Sequence, residues 1–157
     1  MYQPVGIRRL KRTLLIHRVV QILLCILLVY MALHFQQLFQ GKGMPQVFRN
    51  SLLATLLFEF VIFFPLRRFA GNEARRELAA GLHDSGSERQ KQLRQQRLVS
   101  DTLKGAVFLG FTAFILIAPP ATFVLSTAFF CFIVTVITYL QCFNFAMRRG
   151  LEETPPE

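Results

Sequence analysis

One carboxylate, Glu59, stands inside an otherwise apolar stretch, Leu56-Leu57-Phe58-Glu59-Phe60-Val61. A charge at that depth in a bilayer costs at least ~2.5–3.5 kcal/mol. A carboxyl there is expected to be protonated, hydrogen-bonded, or both. Ser51 and Thr55 precede it at spacings of four and share its helical face. Thr112, on a later apolar run, falls at the same depth if the runs form a hairpin, and Thr135 and Thr138 lie at similar depth on the last run. The candidate intramembrane polar site is therefore Glu59 with Thr55, Thr112 and Thr138 as hydrogen-bond partners. Such a site could hold a proton, an ion or a polar ligand group. The competing reading is a neutral Glu bridging two helices. That reading is favoured, because no second carboxylate, Lys or Arg stands at that depth.

The other reactive residue types do not assemble into a site. Cys25, Cys131 and Cys142 all fall in apolar runs, with neither a CxxC pair nor a Cys/His spacing suited to a metal, and read as small buried hydrophobes. His17 and His34 bracket the first apolar run, and His83 lies in a polar turn. Axial haem ligation needs facing histidines at one depth, so no haem is expected. No Ser/His/Asp set, Gly-rich phosphate loop or carboxylate pair is present. These residues predict no catalysis, no metal and no cofactor.

The elements that would position Glu59 follow from hydropathy. The chain has 157 residues, one domain's worth, with 53% hydrophobic residues and 17 Phe. A soluble domain of this size could not hide that much apolar surface. Residues 106–147 carry no charge and are interrupted only by Pro119-Pro120, long enough for two crossings of ~20 residues with a turn at the prolines. Two further runs precede them. The predicted fold is an all-α integral membrane protein with four transmembrane helices, at about 18–36, 50–68, 102–118 and 121–147. A loop over 36–46, rich in Gly and ending near Pro45, joins the first two. The basic start lacks an A-x-A-type cleavage site, so the first run is expected to remain as a span.

Residues 69–101 are polar but rich in helix formers, and the break at 83–87 is followed by a Ser85–Glu88 capping box. Helices 2 and 3 are thus expected to continue beyond the bilayer as a cytoplasmic antiparallel helical hairpin. A turn near Ser85 pairs residues whose numbers sum to about 170, setting Glu77 opposite Arg94 and Glu73 opposite Arg97. The tail, 151–157, is expected to be disordered.

Charge orients the whole. Lys and Arg number 18 against 9 acidic residues, and nearly all lie outside the apolar runs. That segregation reads as positive charge retained on one membrane side and not as a nucleic-acid surface. Five basic residues precede the first run, nine lie between 67 and 104, and two follow the last run, against two in 36–50 and none at the proline turn. Both termini and the hairpin are expected in the cytoplasm of a bacterial inner membrane. Arg8, Arg9, Lys11, Arg12 and Arg18 are expected to contact anionic lipid headgroups.

Small residues form stripes suited to close helix packing. On the third run they are Ala106, Gly110 and Ala113; on the fourth, Thr127, Cys131, Thr135 and Cys142. The sequence therefore points to a non-catalytic small membrane subunit, scaffold or assembly factor of a larger complex, partnered by the lipid bilayer and by other membrane subunits or its own copies. The alternative is a small proton- or cation-coupled transporter using Glu59.

Overall fold

A computed structural model describes the backbone at residues 5–82, 87–117, 119 and 123–153, and side chains at 10–79, 95, 98, 99, 101, 102, 104–117, 119 and 123–153. The elements are four helices, α1 (Val5–Gly41), α2 (Pro45–Leu82), α3 (Ser87–Ile117) and α4 (Phe123–Glu152). Among the described residues there is no strand. α1, α2 and α4 are each long and apolar enough to cross a membrane. The apolar stretch of α3, Lys104–Ile117, is shorter. It covers roughly 20 Å at 1.5 Å per residue, against a hydrocarbon core of ~30 Å.

The loop expected over 36–46 shrinks to three residues, because α1 continues to Gly41. Phe35 and Phe39, one turn apart, are buried with Phe130 of α4, so the helix must persist until Phe39 is placed. It then closes in a Schellman motif. The Gly43 N–H donates to the Gln40 carbonyl at 3.0 Å and the Met44 N–H to the Phe39 carbonyl at 2.9 Å. Gly43 adopts φ 70°, where a side chain would be strained. Pro45 opens α2 as expected, its missing donor being one the first helical turn leaves unbonded anyway. α2 then runs through Pro65 and past Arg67-Arg68 without a break.

α2 and α4 form the principal pair, and α1 lies against both. Contacts between α2 and α4 rise together in number: Phe48 meets Phe130, Thr55 meets Cys131, Glu59 meets Thr135 and Phe69 meets Tyr139. The two helices are therefore parallel. α1 is antiparallel to α4, since His17 meets Phe143 and Phe35 meets Phe130. Two apolar clusters close the ends of the bundle. One holds Phe35, Phe39 and Phe130; the other holds Leu10, Ala70, Ala74, Leu78, Phe143 and Met147. The polar layer around Glu59 lies between them.

Helices α2 and α3 flank residues 83–86, where the turn is expected. Lys104 of α3 reaches Glu73 of α2. The side chains of Arg94 and Arg97, and the Ser85 end of the capping box, lie outside the described residues. α3 meets α4 through Phe108 and Phe111, whose rings lie 5.6 and 5.1 Å from that of Phe132. Ala106, Gly110 and Ala113, expected to pack against a helix, are exposed and take no contact among the described residues of this chain's bundle; a Cβ at Gly110 would meet nothing within 4 Å. Those three residues lie on the side of α3 roughly opposite Phe108 and Phe111, which take the contact. The tail also differs: α4 extends to Glu152, because Leu151 packs on the Met147 cluster and Arg149 bonds Glu153 at 2.9 Å. Residues 154–157 lie outside the described residues.

Candidate functional site

The polar layer is built from two parallel helix faces. Ser51, Thr55 and Glu59 follow one another at spacings of four on α2, and Thr127, Cys131 and Thr135 do the same on α4. The pairs Thr55/Cys131 and Glu59/Thr135 are both separated by 76 residues, so the two stripes run side by side. The Thr135 hydroxyl donates to Glu59 Oε2 at 3.1 Å. The Cys131 thiol donates weakly to Thr55 Oγ1 at 3.8 Å, and Thr55 donates to the Ser51 carbonyl at 2.8 Å. Ser51 and Ser126, both fully buried, donate to the carbonyls three residues earlier, at 2.7 and 3.0 Å. Hydroxyls are thus held by local backbone acceptors, which lets them sit in an apolar interior at little cost.

Glu59 is only partly satisfied. Its second oxygen, Oε1, is buried without a partner among the described residues, as is Thr127 Oγ1. Of the residues expected around Glu59, Thr55 lies one turn away on the same helix. Thr112 and Thr138 are half-buried and make no hydrogen bond to it. The partner is Thr135, which sequence spacing assigned to helix packing. Cys142 packs on the apolar cluster around Met147. Lys11, Arg12 and Arg18 are exposed, as lipid contacts would need to be. The side chains of Arg8 and Arg9 lie outside the described residues.

A second polar cluster, not anticipated, sits about 20 Å further along α2, fourteen residues at 1.5 Å each. Glu73 accepts from Lys104 of α3 through Oε1 and from the Tyr139 hydroxyl of α4 through Oε2, at 2.5 Å for the latter. The Lys104 ammonium also stands 5.4 Å from the centre of the Tyr139 ring and reaches Asp101 at 3.5 Å. Three helices meet at one carboxylate. His17 and Asn144 lie nearby with Nδ1 and Oδ1 buried and unpartnered among the described residues. The sequence held one signal for this cluster: Lys104 is the last charge before the long uncharged run, at the same end of its helix as Glu73. No protein-family model matches the chain, and neither a curated protein nor a solved structure matches it.

Proposed function

We propose that this chain is a small integral membrane subunit, scaffold or assembly factor that performs no catalysis itself and docks to other membrane subunits. The observation that supports this most is the placement of α3. Among the described residues it is fastened to α2 and α4 by Lys104, Phe108 and Phe111, while its small-residue face, Ala106, Gly110 and Ala113, points outward. Small residues let a neighbouring helix approach closely in lipid, where packing replaces the hydrophobic effect as the attraction.

In this reading the chain crosses the membrane four times with both termini, and the polar ends of α2 and α3, in the cytoplasm. The short apolar stretch of α3 crosses with local thinning of the bilayer and with Lys104 reaching to the interface. The inner membrane of a bacterium is the expected location. Purification of the whole chain in mild detergent, followed by mass spectrometry of co-eluting proteins, tests the reading. A defined partner that is lost in Gly110→Leu is the expected result. A monomer that carries lipid alone, in both the parent and Gly110→Leu, would overturn it.

One observation favours a second reading, a proton- or cation-coupled carrier: the buried Oε1 of Glu59, which has no partner among the described residues. A carrier needs an acceptor that can take and release an ion. Glu59→Gln separates the two, because it abolishes transport in a carrier and leaves assembly intact in a scaffold.

A further inference from the structure

The polar half of α2 carries a recess of about 440 Å³ lined by Phe64, Arg67, Arg68, Gly71, Asn72 and Arg75. Their spacing of three or four places them on one face of the helix. The three arginines are exposed, and among the described residues none has an ion-pair partner. No carboxylate lines the recess. Glu73, the carboxylate within this stretch, points to roughly the opposite side of the helix, where Lys104 and Tyr139 hold it. Three unneutralised guanidiniums within three turns repel one another, and an anion between them would remove that repulsion.

We propose that this recess binds the phosphate of an anionic phospholipid. Guanidinium groups match phosphate oxygens with paired N–H donors, and the Asn72 amide adds a further donor. Gly71 leaves the floor open, since a Cβ there would meet nothing within 4 Å. Phe64, largely exposed, forms the lip on the apolar side. An acyl chain beside Phe64 and a headgroup beside the arginines would follow the change from apolar to basic residues along α2. That amphiphilic lining selects a lipid over a free phosphate ion. The site rests on α2 crossing the membrane and is independent of the scaffold reading.

The test uses the full chain in mild non-ionic detergent, titrated separately with phosphatidylglycerol, phosphatidylcholine and inorganic phosphate, with bound ligand counted by native mass spectrometry. The expected result is saturable binding of phosphatidylglycerol and little of the other two. Replacing Arg67, Arg68 and Arg75 together by Gln should weaken phosphatidylglycerol binding by at least about tenfold. Lys42→Gln/Arg49→Gln/Arg148→Gln, which removes the same charge from exposed positions elsewhere, should leave it unchanged. Gly71→Leu fills the recess while keeping every charge and should produce the same loss, which keeps the proposal testable if the triple Gln variant fails to fold. Equal losses in the recess variant and in this control would reduce the effect to diffuse attraction and overturn the proposal. Binding of phosphate as tight as that of the lipid would also overturn it, in favour of a soluble anion. A chain that is recovered from membranes but binds phosphatidylglycerol no better than phosphatidylcholine loses this site while keeping its membrane assignment.

Discussion

Thr135 of α4 donates its hydroxyl to Oε2 of Glu59 on α2, at 3.1 Å, joining two parallel helices in the middle of their apolar length. The bond should be measurable as a coupling. Interhelical hydrogen bonds in membranes average ~0.6 kcal/mol and reach about 1–2 kcal/mol. Glu59→Leu and Thr135→Val are each expected to loosen the fold by about 1 kcal/mol, with a coupling near ~0.6 kcal/mol in the double variant. Thr138→Val should show no coupling to Glu59. Denaturation of these single and double variants in mixed micelles provides the measurement, and strictly additive losses at Glu59 and Thr135 would contradict the bond. Glu59→Gln should preserve stability, since an amide keeps an acceptor for Thr135.

Lys104 is expected to act as the fastening of α3. Lys104→Met removes the cation from Glu73 and retains the length of an apolar stem. Amides of 105–117 should then exchange faster with solvent, while those of α2 and α4 keep their protection. Tyr139→Phe, which removes the hydroxyl from Glu73, should cost about 1 kcal/mol without releasing α3. Unchanged exchange in Lys104→Met would mean that Phe108 and Phe111 suffice to hold the helix.

Gly43→Ala tests the turn between α1 and α2. A residue with a Cβ is strained at φ 70°, by roughly 1–2 kcal/mol. The loss should appear as a lower thermal midpoint, and Gly43→Asn, which tolerates this conformation better, should recover part of it. Equal stability of all three chains would rule out the Schellman closure.

Gly150 tests the close approach of α2 and α4 at their basic ends. A Cβ there would overlap Leu78 Cδ1, the tip of a side chain that can rotate, and would make ordinary contacts of 3.5 and 3.7 Å with the rest of that leucine. Gly150→Ala should therefore be nearly neutral, because leucine can turn aside and alanine favours the helix. Gly150→Val should destabilise by about 1–3 kcal/mol through overpacking, and Leu78→Ala should relieve it. Additive effects of Gly150→Val and Leu78→Ala in a double-variant cycle would argue against the contact.

Reporter fusions test the proposed topology. A periplasmic reporter should be active after Gly43 and inactive at the C-terminus, following the distribution of Lys and Arg. Periplasmic activity at the C-terminus would leave an odd number of crossings, with α3 lying outside the bilayer.

The sequence by itself determined the helices, because long uncharged runs and the turn residues Gly43 and Pro45 act locally. It also singled out Glu59, since one carboxylate among Leu and Phe is visible without coordinates. Local arithmetic could pair only helices joined by a turn, so it set Glu59 against Thr112. The tertiary structure instead made α2 and α4 the central pair, and their parallel register brings Thr135 to Glu59 across 76 residues. No turn specifies that register. It arises where Phe35, Phe39 and Phe130 pack at one end and Leu78, Phe143 and Met147 at the other. The rotation of α3 was decided in the same way: its stripe of Ala106, Gly110 and Ala113 was legible, but Phe108 and Phe111 occupy the contact with Phe132. A small-residue stripe permits close packing without saying which neighbour will use it, whereas large aromatic rings must be placed against a surface that only the folded chain provides.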